Sequence, residues 1–169
     1  MAIVTRTDRS RSTRAARYAR AVLVLVFVVA VDQATKHAVT AGIIPGQVDK
    51  LIPGLELVDV RNTGVAFSLF SGGGTLVLVI TVIALTGLAG YFVLRPNRRL
   101  LWLPTGLLLG GAIGNLIDRV RAGAVTDFIK LPHWPAFNVA DMAITFGVIT
   151  LLYAIETGTR REAREALDD

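Results

Sequence analysis

Four apolar runs separated by short polar segments restrict this chain to very few folds. They cover about residues 18–39, 76–94, 100–117 and 139–155. At about 1.5 Å per helical residue, the longer runs cross roughly 30 Å of hydrocarbon. The 169-residue chain is 53% hydrophobic and 18% charged, with a mean hydropathy of +0.56. That balance exceeds what a soluble core needs and points to a polytopic membrane protein of one domain's length. The first run has its uncharged core only at 21–31, short enough for the apolar part of a signal peptide. Three further runs, and no convincing Ala-x-Ala cleavage signal just behind it, favour a retained helix.

The charge pattern orients these runs. Arg6, Arg9, Arg11, Arg14, Arg17 and Arg20 precede the first run. Arg95, Arg98 and Arg99 separate the second from the third, and Arg160, Arg161 and Arg164 follow the fourth. With four spans, these twelve of the 18 basic residues fall on one side, which the positive-inside rule makes the cytoplasm. The pI of about 10.2 is therefore a topology signal, with weak attraction to anionic lipid, rather than a sign of nucleic-acid binding. No cysteine is present, which excludes disulfides, thiolate nucleophiles and Cys-based metal sites. His37 and His133 are the two histidines, without a partner at metal-ligand spacing, so no metal is expected.

The expected fold is an all-α polytopic membrane protein: four transmembrane helices with a small extracytoplasmic β-element between helices 1 and 2. Residues 1–17 read as a disordered basic cytoplasmic tail, 18–157 as the four-helix membrane domain, and 158–169 as a second cytoplasmic tail. Leu55-Glu56-Leu57-Val58-Asp59-Val60-Arg61 partly alternates and predicts a short strand lying at the membrane surface. Arg95-Pro96-Asn97-Arg98-Arg99 predicts a tight turn, and Ser71-Gly72-Gly73-Gly74 a flexible lead into the second run. Gly106, Gly110, Gly111 and Gly114 suit close helix packing in the third.

Asp127 and Asp141 draw attention as chemistry. A carboxylate at the edge of hydrocarbon is costly, and two that meet suggest a shared proton. In a four-span layout the unusual polar residues gather at the outer ends of three helices: Asp32 and Lys36, then Asn115, Asp118 and Arg119, then Asn138 and Asp141. Asn62 and Asp127 join them from outer loops. Each has a plain structural reading as well. Asp32 and Lys36, spaced i,i+4, make a self-neutralising helix pair. Asp118 and Arg119 suit a helix end at the interface. Asn138 is placed to cap the fourth helix through a backbone N–H near Asp141, and Asp141 gains from the helix dipole. His133 and Trp134 fit interfacial packing, Asn62-Thr63-Gly64 a turn, and Phe67 and Phe70 contact with lipid.

Five segments occur in order: Asp32-Gln33-Ala34-Thr35-Lys36, Arg61-Asn62-Thr63-Gly64-Val65-Ala66-Phe67-Ser68, Gly110-Gly111-Ala112-Ile113-Gly114-Asn115-Leu116-Ile117-Asp118-Arg119, Val125-Thr126-Asp127-Phe128 and Phe137-Asn138-Val139-Ala140-Asp141. Together they resemble the bacterial signal peptidase II family, the lipoprotein signal peptidases, over about residues 20–155. The resemblance implies an aspartic endopeptidase that cuts prolipoproteins just before a lipid-modified cysteine. It implies Asp127 and Asp141 as the catalytic pair, with Asn62, Gly111, Asn115, Arg119 and Asn138 lining the site. Asp32, Lys36 and Asp118 correspond to supporting positions. It further implies no cofactor, lipid-modified prolipoproteins and membrane lipids as partners, a monomer, and a place in the bacterial cytoplasmic membrane with the site at the outer face. The arginine-rich N-terminal tail lies outside the resemblance.

Two other classes compete. A small proton-coupled transporter or channel would use Asp32, Asp118 and Asp141 as a relay, but the charges cluster at one interface and leave no polar path through the spans. A non-catalytic membrane adaptor would use both aspartates only as caps.

Overall fold

Long apolar stretches flanked by good helix formers build the frame. The computed structural model describes residues 6–44, 46–63, 73–94 and 100–168. These hold four helices, α1 (Arg6–Gly42), α2 (Gly73–Leu94), α3 (Trp102–Ala122) and α4 (Val139–Asp168), and a small sheet of β1 (Val48–Ile52), β2 (Leu55–Asn62) and β3 (Val125–Lys130). The turn predicted at 95–99, the Phe67 and Phe70 contacts, residues 64–68 of the second segment and the first two residues of the lead predicted at 71–74 lie outside the described residues.

Two expectations need correction. The N-terminal segment read as disordered is helical from Arg6 onward. Arg and Ala, which dominate residues 14–20, are strong helix formers, and a helix already nucleated in the apolar run extends through them. The chain is also not purely α with a β-element confined to the segment between helices 1 and 2. β3 comes from the segment between α3 and α4 and completes an antiparallel sheet of order β1-β2-β3. The strand expected at residues 55–61 is β2.

Local chemistry sets the connections. Pro53-Gly54 turns β1 into β2, with Gly54 at φ +84 where a side chain would strain the backbone. Gly123 ends α3 in the left-handed conformation at φ +70, and its N–H donates to the Arg119 carbonyl at 3.0 Å. The chain then reverses directly into β3, which brings Asp127 back over the end of α3.

α3 is the central helix and packs against both α1 and α4. Its small residues make this possible. A Cβ at Gly110 would lie 2.8 Å from Val28 Cβ, and one at Gly114 would lie 2.6 Å from Asp32 Oδ2 on α1. One at Gly111 would overlap the Ala140 carbonyl oxygen and sit 2.9 Å from Ile144 Cγ1 on α4. Two apolar clusters close the ends. Ala21, Phe92, Leu101 and Ala154 pack near the Arg20 end, where Tyr18 meets Phe92 edge-on at 5.3 Å. Val39, Ile43 and Phe128, with Leu57, Ile129 and Val139, seat the sheet on α1 and α4.

Much apolar surface faces outward: Val22, Leu23, Val26 and Phe27 on α1, Val82 and Ile83 on α2, and Phe146, Ile149 and Leu152 on α4 are exposed. Among the described residues, the stretch Val139–Arg160 is long and apolar enough to cross a membrane, and Val82–Leu94 is a shorter apolar helix. In α1 and α3 the apolar pattern is interrupted by Asp32, Lys36, Asn115 and Asp118.

Candidate active site

The interrupting residues are buried together rather than exposed. Asp32 is 0% exposed, Lys36 4%, Asn115 7%, Asp118 9%, Asp127 2% and Asn138 0%. Buried polar groups on this scale are stable only when each finds a partner. Here they do so across four elements.

The deepest layer is a buried ammonium. Lys36 Nζ lies 2.8 Å from Asp32 Oδ2, 2.9 Å from Asp118 Oδ2 and 3.0 Å from Asn115 Oδ1. Three N–H bonds therefore meet three acceptors. Asp32 also accepts from the Ala140 N–H at 2.9 Å, which satisfies a free donor in the first turn of α4. The i,i+4 pair read from sequence thus joins α1 to α3 and α4 rather than neutralising only itself. Asp118 accepts from Gln33 Nε2 at 2.9 Å and from the Thr126 N–H at 3.1 Å, tying α1 and α3 to β3.

The outer layer holds the two aspartates. Asn138 precedes α4 and caps it as its position suggests: the Asp141 N–H donates to Asn138 Oδ1 at 2.9 Å. The Asn138 N–H returns a bond to Asp141 Oδ2 at 3.3 Å, a reciprocal capping box. With its oxygen so engaged, Asn138 turns Nδ2 toward Asp127 Oδ1 at 2.7 Å, with Asn115 Oδ1 at 3.1 Å and the Thr126 carbonyl at 3.3 Å also in reach. Asn138 therefore touches both aspartates. Asn115 Nδ2 donates to Asp141 Oδ1 at 2.8 Å, and Asn62 Nδ2, at the end of β2, donates to Asp127 Oδ2 at 2.9 Å.

Strand register explains how Asn62 arrives. Val60 pairs with Asp127, so Asn62, two residues on, shares its face and sits diagonally across from the carboxylate. Burial pushes the Asp127 carboxyl above the ordinary aspartate range. Bonds from Asn62 and Asn138 and the Lys36 charge oppose that rise, while the negative charge of Asp141 adds to it. Asp141, half-buried in the first turn of α4, carries N–H donors on both oxygens.

The remaining expected residues take other positions. Gly111 forms the α3–α4 contact and carries no polar group. Arg119 is exposed, and its Nη1 reaches back to the Asn115 carbonyl at 3.4 Å. His133 and Trp134 are exposed in the loop after β3, with His133 at φ +61.

Three contributors stand in quoted segments but are not singled out by sequence as site residues. Gln33 donates to Asp118 and to Asp32, and Thr126 supplies backbone groups at both layers. Asp59 is buried where the β2–β3 register shifts between Leu57 and Val60, with Arg61 Nε 3.5 Å away. Arg61 Nη1 donates to Thr126 Oγ1 at 3.1 Å, bracing the two strands beside the site. Strand alternation does not reveal that Val58 and Asp59, neighbours in the strand, are both buried there.

Comparison with known proteins gives the relatives of this chain. The family profile described as signal peptidase (SPase) II matches residues 24–156. A lipoprotein signal peptidase of Moorella thermoacetica is 41% identical over 145 residues, spanning 85% of this chain and 97% of its own. One from Staphylococcus aureus is 36% identical over 149 residues, spanning 83% and 91%. A solved bacterial membrane enzyme superposes with a TM-score of 0.73 at 37% identity, covering 80% of this chain and 91% of its own.

Proposed function

The chain belongs to the signal peptidase II family, and on that premise we propose that Asp127 and Asp141 are the catalytic pair of a membrane aspartic endopeptidase. Membership makes the protein a protease associated with the membrane and gives it the family's work, removal of signal peptides from prolipoproteins. It lends no support to the transporter or adaptor readings. The finer reading is that cleavage falls just before the lipid-modified cysteine and runs on two carboxyls.

The observation that carries this reading is Asn138, hydrogen-bonded to both aspartates. Two carboxyls tied to one Asn138, that of Asp127 buried and that of Asp141 half-buried, cannot both ionise cheaply, so they titrate as one unit holding one proton. The ionised member removes a proton from a water, and that water attacks the scissile carbonyl. The protonated member donates to the carbonyl oxygen as negative charge builds there, then helps to protonate the leaving amine. The raised affinity of buried Asp127 for a proton suits the acid role, which leaves Asp141 to take the proton from the water. Asn62, Asn115 and Asn138 hold the carboxylates in place, so little reorganisation accompanies the reaction.

The membrane placement follows the same logic. Exposed Phe27, Ile83 and Phe146 suit lipid far better than water, and four spans put the aspartates at the outer interface. The substrate's acyl chains then stay in the bilayer while its cleavage site reaches the pair. Both termini lie in the cytoplasm, next to the arginine-rich ends.

The decisive experiment uses the purified full chain and a lipidated precursor peptide. Asp127→Asn and Asp141→Asn each abolish cleavage while retaining the helical circular dichroism of the parent. Substantial turnover by either variant overturns the assignment. Reporters fused to each terminus are found in the cytoplasm; an external one overturns the topology.

A further inference from the structure

Lys36 touches neither aspartate, yet the bonding around it fixes a choice that the pair depends on. An ammonium only donates hydrogen bonds, whereas an Asn amide presents an acceptor at one corner and a donor at the other. Lys36 Nζ lies 3.0 Å from one corner of the Asn115 amide, and Asp141 Oδ1 lies 2.8 Å from the other. The corner facing Lys36 must therefore be oxygen, which leaves NH2 for Asp141. The rotated amide would set NH2 against an ammonium and oxygen against a carboxylate, two repulsive contacts in a buried site.

We propose that Lys36 is a positioning residue whose positive charge sets the orientation of the Asn115 amide and thereby aims its NH2 at Asp141, fixing that carboxyl in the pair. This rests on the two-aspartate reading given above. The other two Lys36 bonds go to Asp32 and Asp118, so the ammonium is clamped from α1 and α3 and cannot turn away. Asn138 Nδ2 reinforces the orientation by donating to the same Asn115 oxygen at 3.1 Å. A simple structural counter-ion would need only the two carboxylates; the third bond is the one that leads to the site.

Among the described residues, the charged groups around the pair are Asp32 and Lys36 from α1, Asp118 and Arg119 from α3, Arg61 with its neighbour Asp59 from β2, and the two aspartates themselves from β3 and α4. Removing Lys36 alone strands two buried carboxylates. The first test variant is therefore Lys36→Met with Asp118→Asn, which keeps the net charge of the cluster. The second is Lys36→Gln, which still donates to Asp32 or Asp118 but shows either amide corner to Asn115.

Both are measured as full-length protein in detergent, by thermal unfolding and by the pH profile of kcat/KM on the lipidated peptide. The expected result is a folded protein whose kcat falls about tenfold or more with KM little changed. The acidic limb of the profile, which belongs to the pair as a unit, moves up by about one pH unit. Lys36→Arg, which keeps a donor-only cation, restores the limb toward its original position. A folded variant with the parental limb overturns the proposal, whatever its kcat. So does failure of both variants to fold, which would assign Lys36 to folding alone. If instead Asp127→Asn or Asp141→Asn remains active, it is the two-aspartate reading that fails.

Discussion

Asn138 and Asp141 cap each other at the start of α4: each backbone N–H donates to the other's side chain, at 2.9 and 3.3 Å. This box has a catalytic consequence because it consumes the Asn138 oxygen and leaves its NH2 for Asp127. Helix capping and dyad assembly are therefore one interaction read from two sides. Substitutions at Asn138 separate them. Asn138→Ser keeps a capping oxygen but cannot reach Asp127, whereas Asn138→Ala loses both. The serine variant melts closer to the parent, with the cap worth about 1 kcal/mol. Both variants lose about a hundredfold or more in kcat. Thermal melts and steady-state kinetics on the same preparations check this, and a serine variant with near-parental kcat contradicts it.

Asn62 offers the contrasting case. Its side chain comes from an exposed position at the end of β2 and bonds Asp127 at 2.9 Å. Asn62 is itself exposed, so losing its bond to the buried Asp127 carboxyl affects the reaction more than the fold. Asn62→Ala is expected to reduce kcat about tenfold, the worth of one such bond, and to change the melting temperature by only a degree or two. Equal losses of activity and stability would show that Asn62 acts on the fold instead.

The third helix predicts where stability concentrates. The Cβ that alanine adds at Gly114 falls 2.6 Å from Asp32 Oδ2, a carboxylate already held by Lys36 and the Ala140 N–H. At Gly111 it overlaps the backbone of α4. Neither neighbour can step aside, so each substitution is expected to destabilise the protein by roughly 1–3 kcal/mol. Gly87→Ala serves as the control, since nothing lies within 4 Å of its added Cβ. Chemical or thermal unfolding in one detergent compares the three, and an unaffected Gly111→Ala would rule out the close α3–α4 packing.

What the sequence revealed and withheld follows from range. The helices were legible because apolar runs are local signals, and β2 because Leu55, Leu57 and partners alternate. β3 was hidden: Val125, Thr126, Asp127 and Phe128 are all buried, so no alternation marks them. Its partner strand also lies some 65 positions away, between Asn62 and Asp127. The helical N-terminal segment was missed because polarity was read as disorder while its Arg and Ala content favoured helix. The site residues were legible as types and spacings. Their order was not. That Asp32 reaches Ala140, or that Lys36 selects the Asn115 amide corner, depends on side chains from three helices meeting at a point.

The last prediction concerns pH. Burial raises the proton affinity of Asp127, and the negative charge of Asp141 adds to it. The folded protein therefore holds this proton more tightly than the unfolded chain does. Its contribution to stability is complete below the ordinary aspartate range and is lost as the pH rises through the raised value. In Asp127→Asn there is no proton to lose, so that part of the pH dependence disappears. Melting temperatures of parent and variant, taken in steps from acid to neutral pH, should diverge in slope over this window and run parallel above it. The same titration sets the alkaline limb of kcat/KM, because the pair fails when its shared proton leaves. That limb should lie above the ordinary carboxylate range and coincide with the stability change; an alkaline limb well separated from it would assign the shared proton to a different group.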